Sequence, residues 1–108
     1  DRFGNVWVGR EKELATVAHA AHCTLVTAEE IVDDDLMAST TTAAGCLSSM
    51  YIDAIAVAKN GAWPVGLGDL YDRDTEHLRS YAAAARDDDA FDVYLQRYVF
   101  AAPARASA

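Results

Sequence analysis

Positive charge is scarce in this sequence. Nine lysines and arginines stand against 17 aspartates and glutamates, a formal net charge of −8, and the basic residues are scattered rather than grouped. Binding to a phosphate backbone draws on clustered cations that release counterions, so no nucleic-acid partner is expected. Long hydrophobic runs are missing as well. No uninterrupted apolar stretch reaches the roughly 18 residues that span a bilayer, and no basic segment leads into an apolar core and cleavage site. These absences point to a chain without a membrane partner, located in the cytoplasm.

Cysteine is limited to Cys23 and Cys46, which form no CxxC pair and sit in no secretory context. Two small buried residues are expected of them rather than a disulfide framework. Bulky apolar residues are also in short supply, because 22 of the 108 residues are alanine. Alanine contributes little buried area next to leucine, isoleucine or phenylalanine, so the 52% hydrophobic content overstates the core. The length suits one small domain over 1–102, with 103–108 reading as a flexible tail.

Within that frame the chain alternates strand and helix signals. Val6, Trp7 and Val8 form a short β-rich run entered from the turn-forming "DRFGN". Leu14, Val17, Ala18 and Ala21 then recur at i, i+3, i+4 and i+7, which predicts a helix from Glu11 to near Cys23 with that face turned to a sheet. Thr24 to Thr27 reads as a short buried strand, with "AEEIV" as a helical turn or extended continuation. If both strands share a sheet, the unit is a parallel, right-handed βαβ crossover.

Residues 33–50, "DDDLMASTTTAAGCLSSM", show no periodicity and read as a long excursion of the kind that functional loops use. "YIDAIAVA" resumes a strand, with Ile52, Ala54, Ala56 and Ala58 on one face and Asp53, Ile55 and Val57 on the other. An irregular segment follows, punctuated by Gly61, Pro64, Gly66 and Gly68. Two helices close the chain. Asp72 or Asp74 caps the first, whose apolar face is Leu78, Tyr81, Ala82 and Ala85, and the acids at 87–89 cap the second. Phe91, Tyr94, Leu95 and Tyr98 give that last helix an aromatic face in need of a partner surface.

Few constellations carry chemistry. "HAAHC" would place His19 and His22 three apart on a helix with Cys23 nearby, yet no third ligand is evident, and solvated histidines are the plainer reading. Asp33 to Asp35 and Asp87 to Asp89 lack the alternating spacing and central glycine of a calcium loop. Gly66 and Gly68 lack the third glycine, or the Lys-Ser/Thr, of a phosphate loop. Glu29 and Glu30 follow a strand, at the sheet edge where α/β proteins place functional groups, although surface glutamates are also common there. The residues thus describe an α/β piece without a self-contained active site.

Three stretches carry a resemblance. "DRFGNVWVGREKELATVAHAAHCTLVTAEEIVDD", "YIDAIAVAKNGAWPVG" and "LYDRDTEHLRSYAAAARDDDAFDVYLQRYVF" resemble, in order and spacing, the C-terminal part of the A subunit of family I CoA-transferases of the glutaconate type. None is a short catalytic signature. The resemblance implies a partial open, mainly parallel sheet with flanking helices and two C-terminal helices. It implies coenzyme A as substrate carrier, with no permanently bound cofactor, and an acyl-CoA substrate. In such enzymes a glutamate, usually on the B half, becomes a glutamyl-CoA thioester. The glycine-rich segment of the A half precedes the matched region. The expected partner is therefore a B-type subunit or missing half, or a second copy, and "DRFGN" reads as an internal turn preceded by a strand.

On this reading the nucleophile lies elsewhere and this chain supplies scaffold and substrate contacts. The candidates are Asn5, Arg10, Glu29, Trp63 and Tyr71. Asn5 and Arg10 flank the first strand, and a guanidinium can clamp a carboxylate or phosphate with two prongs, against the alternative of a surface salt bridge. Trp63 and Tyr71 would line an acyl or pantetheine channel, or else pack on the closing helices. Two other functions stay open: a hydrolase or lyase of a CoA or carrier thioester on the same scaffold, and a non-catalytic interaction module docking through Phe91 to Tyr98.

Overall fold

The computed structural model describes residues 1–101, which run in chain order β1 (Val6–Trp7), α1 (Glu13–Ala20), β2 (Leu25–Ala28), α2 (Thr40–Ala43), β3 (Cys46–Leu47), a 3₁₀ turn (Ser49–Tyr51), β4 (Ala54–Val57), α3 (Thr75–Ala84) and α4 (Asp88–Leu95), with a π-helical turn (Gln96–Phe100) continuing α4. The architecture is α/β. The expected tail at 103–108 lies outside the described residues. No helix among them is long and apolar enough to cross a membrane. They form two compact units, Asp1–Gly61 and a second beginning at Ala62.

The first unit is organised by its opening turn. One Asp1 carboxylate oxygen accepts the Phe3 and Asn5 N–H groups, each at 2.9 Å, and the other accepts Asn5 Nδ2 at 3.0 Å and the Leu36 N–H at 2.9 Å. Gly4, at φ +87°, supplies the left-handed step that this turn needs. Asn5 is buried, and its Oδ1 accepts the Ser49 N–H at 2.9 Å. One short motif therefore ties three loops, near residues 1–5, 36 and 49.

Strand pairing departs from the expected βαβ unit. β1 pairs antiparallel with β3, Val6 opposite Leu47 and Trp7 opposite Cys46, while β2 pairs parallel with β4 from Leu25–Ala54 to Ala28–Val57. The supposed excursion at 33–50 holds both α2 and the strand that β1 needs. Gly45 lies under the Trp7 indole just before β3, where a Cβ would run into the ring, so any larger residue there requires the ring to move. Ser39 caps α2 by accepting the Thr41 N–H at 3.3 Å.

α1 is shorter than its periodicity suggests, and its face differs. Only Ala18 is buried, while Leu14 and Val17 are exposed. The helix has no capping side chain at its start and gives way to extended backbone at Ala21. The chain must leave the helix there, because the Thr24 N–H donates to Asp53 Oδ2 at 2.7 Å and the Thr24 carbonyl accepts the Asp53 N–H at 2.9 Å, which sets the β2–β4 register. "AEEIV" is not helical after Ala28.

The second unit follows its capping signals, but of the face expected on α3 only Leu78 is half-buried, while Tyr81, Ala82 and Ala85 are exposed. Asp74 caps α3 by accepting the His77 N–H, and Asp87 caps α4 by accepting the Ala90 N–H, both at 2.9 Å. Phe91, Tyr94, Leu95 and Tyr98 are half-buried inside the unit. Tyr81 meets Phe91 and Tyr94 edge-on, with ring centroids 6.1 and 5.3 Å apart. The aromatic face thus finds its partner in α3.

Candidate functional site

Open parallel sheets place ligands beyond the carboxyl ends of their strands, where side chains are held by rigid backbone and the ends of adjacent strands part. In the first unit that edge is built from the residues after β2 and β4. Ala58 N–H donates to the Ala28 carbonyl at 2.8 Å, extending the pairing by one bond. Beyond it, Glu29 turns its carboxylate onto the next turn. Oε2 accepts the Asn60 N–H at 2.7 Å and Oε1 accepts the Gly61 N–H at 3.0 Å.

This turn is demanding. Asn60 has φ +53°, and a Cβ on Gly61 would lie 2.8 Å from the Ala58 carbonyl oxygen. Asparagine tolerates the left-handed region better than most residues, and glycine alone fits the following position. Glu29 is half-buried, with both oxygens engaged by backbone amides, so this structure places it as the brace of the sheet edge. Lys59, next to that turn, is exposed.

The other candidates fall as follows. Asn5 sits in the opening turn, with both ends of its amide taken by Asp1 and the Ser49 N–H. Arg10 is exposed just after β1, in the loop where its carbonyl accepts the Lys12 N–H at 2.8 Å. Trp63 and Tyr71 belong to the second unit and meet the same short segment. The Tyr71 hydroxyl accepts the Ala62 N–H at 3.0 Å, and the Trp63 indole donates to Asp74 Oδ2 at 3.2 Å. Gly66 passes so close to the strand-like return at 71–73 that a Cβ would be 2.9 Å from the Tyr71 carbonyl oxygen.

Around Trp63 the sequence reading missed a residue. His77 is buried, shares a 2.7 Å hydrogen bond through Nε2 with the Tyr94 hydroxyl, and has the Trp63 ring 4.2 Å and the Tyr98 ring 4.7 Å from its own. A histidine at the third residue after an Asp cap, with a tyrosine on the following helix, is the pattern that marks it. The His77 N–H holds the Asp74 carboxyl below its ordinary range, helped by the Trp63 indole. Burial raises the Tyr94 hydroxyl above its ordinary value, and Tyr98 and Tyr81 add to that.

Metal chemistry finds no built centre among the described residues. α1 ends at Ala20, so His22 and Cys23 leave the helical spacing that would have grouped them with His19, whose ring instead meets Tyr51 edge-on at 5.3 Å. No group of three described His, Cys, Asp or Glu side chains is arranged to hold an ion. Both cysteines are free thiols. Cys23 is exposed, against the expectation that it is buried, because it sits in the extended link after α1, while Cys46 is half-buried on β3.

Comparison with known proteins gives a consistent result. No protein-family model matches the chain. Over 95 residues it is 32% identical to the A subunit of glutaconate CoA-transferase from Acidaminococcus fermentans, a match that covers 88% of this chain and 29% of its relative. The crystal structure of glutaconate coenzyme A-transferase from the same organism, at 2.55 Å resolution, matches with a TM-score of 0.75 and 31% identity, over 90% of this chain and 30% of the other. The chain spans under a third of the length of the relative it matches. Over the stretch that they share, sequence and fold agree, and in both this chain is similar to part of the A subunit of glutaconate CoA-transferase.

Proposed function

We propose that this chain is an A-type component of a CoA-transferase, which moves CoA between an acyl-CoA and a carboxylic acid. The observation that carries the proposal is the joint match in sequence and fold to the glutaconate enzyme, at 32% identity and a TM-score of 0.75. The chain supplies scaffold and substrate contacts, and the glutamate that forms the thioester lies on a B-type subunit or in sequence outside this stretch. Glu29 fits a bracing role better than a nucleophilic one. Its two oxygens each accept a backbone N–H, which ties the carboxylate to the turn at 60–61. Arg10, exposed after β1, presents a guanidinium suited to a carboxylate or phosphate, and Trp63 with Tyr71 offers aromatic surface to an acyl or pantetheine chain.

The test is an assay of CoA transfer and of thioester hydrolysis, by the chain alone and together with the remaining A-type sequence and a B-type partner. Transfer is expected only from the combination. Transfer by the isolated 108 residues would overturn the placement of the nucleophile, and hydrolysis without transfer would move the chain to a thioester hydrolase on the same scaffold.

A further inference from the structure

The turn that follows β4 is built on a chemically labile pair. Asn60 stands at φ +53°, a region that asparagine and glycine enter more readily than other residues. A Cβ on Gly61 would lie 2.8 Å from the Ala58 carbonyl oxygen, so the next residue is held to glycine. The backbone geometry thus selects the order Asn-Gly, in which the following nitrogen has no Cβ beside it to obstruct approach to the asparagine side chain. Both residues are exposed to water. The other asparagine, Asn5, is buried and precedes the β-branched Val6, so it meets neither condition.

We propose that Asn60 is a deamidation site and that Glu29 guards it. In the reaction the Gly61 nitrogen gives its proton to hydroxide and attacks Asn60 Cγ; an N–Cγ bond forms, the Cγ–Nδ2 bond breaks and ammonia leaves. Water then opens the cyclic imide, at Cγ to give an aspartate or at the backbone carbonyl to give an isoaspartate. In the folded chain the attacking nitrogen is already engaged. Its N–H donates to Glu29 Oε1 and to the Ala58 carbonyl, each at 3.0 Å, and the Asn60 N–H donates to Glu29 Oε2 at 2.7 Å. Removing the Gly61 proton unmakes two bonds and sets an anionic nitrogen against a carboxylate. Reaction therefore waits for the turn to open. Once an isoaspartate forms, the chain between the two amides is longer by one carbon and carries a new negative charge, so Glu29 no longer holds both. Deamidation thus releases the sheet edge irreversibly, whatever reaction that edge serves.

The experiment incubates the full chain at mildly alkaline pH and physiological temperature. Peptide mapping follows Asn60 through the mass change of an amide becoming an acid, and separates aspartate from isoaspartate. Beside it run a synthetic peptide of residues 55–65, Glu29→Gln, and Asp87→Ala, which removes the cap of α4 in the second unit. The parent is expected to deamidate about tenfold or more slowly than the peptide, Glu29→Gln about tenfold faster than the parent, and Asp87→Ala at the parent rate. A parent as fast as the peptide, Glu29→Gln as slow as the parent, or Asp87→Ala as fast as Glu29→Gln would each overturn the proposal. If Glu29→Gln fails to fold, the parent's own product decides. Its deamidated fraction, isolated by anion exchange, is expected to show faster amide exchange at Gly61 with unchanged exchange in α3, and parent-like exchange at Gly61 would overturn the proposal.

Discussion

Glu29 and Asn60 meet at the carboxyl edge of the parallel pair, carboxylate oxygen to backbone N–H at 2.7 Å, and the same carboxylate holds Gly61. A side chain at the end of one strand thereby fixes the turn at the end of its neighbour, 31 residues away in sequence. Hydrogen bonds of this charge-assisted kind contribute more than neutral ones, and an amide in place of the carboxylate would point a donor at a donor.

Glu29→Gln is therefore expected to lower stability by about 1–3 kcal/mol, the cost of unmaking bonds to a charged acceptor. Amide exchange at Asn60 and Gly61 should accelerate while exchange within α3 stays unchanged. Chemical denaturation and hydrogen exchange read the two effects, and unaltered exchange at both amides would remove the bracing role.

Gly45→Ala tests the hidden strand. Its methyl group would collide with the Trp7 ring, so β1 and β3 must separate or the indole must move, at a cost of about 1–3 kcal/mol. Trp7→Ala costs stability by itself but should make the added Gly45→Ala change nearly neutral, a non-additive pair that a double-mutant cycle measures.

Tyr94→Phe keeps the ring packing and removes the hydroxyl that His77 needs. A buried polar group left unpaired costs about 1–3 kcal/mol, so a fall in Tm is expected with little change in far-ultraviolet circular dichroism. In the parent protein burial raises the Tyr94 pKa from its ordinary 10.0. The folded state then resists ionisation of a group that the unfolded chain ionises freely. This contribution is whole below the unfolded value and is lost as pH rises through the folded one. Tyr94→Phe should flatten that alkaline loss in pH-dependent denaturation.

Asp74 gives the opposite sign. Its pKa lies below the ordinary 3.8, first because of the His77 N–H and then because of the Trp63 indole. Its stabilisation is therefore present above that ordinary value and disappears as pH falls through the lower, folded one. Asp74→Ala should lower the melting temperature at neutral pH and shrink the acid-dependent part of the curve. Equal acid sensitivity in both proteins would show that the cap contributes nothing to it.

How much of this was legible in the residues depended on range. Asp74 and Asp87 could be read as caps because a cap is satisfied within three residues of its own position. β2 and β4 could be read from their apolar runs, and the resemblance to the CoA-transferases from the order of three stretches. The β1–β3 pair could not. Two-residue strands carry no periodicity, and Cys46–Leu47 sits in a threonine- and serine-rich passage whose only clue is a glycine facing a tryptophan. Among the candidate contacts, the roles of Asn5 and Glu29 in hydrogen-bonding loops also lay beyond sequence reasoning, because their partners at Ser49 and Asn60 are distant.

The sequence by itself determined the α/β class, the caps of α3 and α4, the net negative charge and the resemblance to A-type CoA-transferase chains, all of which follow from local side-chain chemistry and from the order of motifs. Only the tertiary structure decided that β1 joins β3 rather than β2, that the aromatic face of α4 meets α3, and that Leu25, Thr27, Ala54 and Ala56 of the β2–β4 pair are exposed among the described residues. The physical reason is the same in each case. Pairing and burial are set by backbone donors and apolar surface brought together from distant positions, and no window along the chain contains both partners.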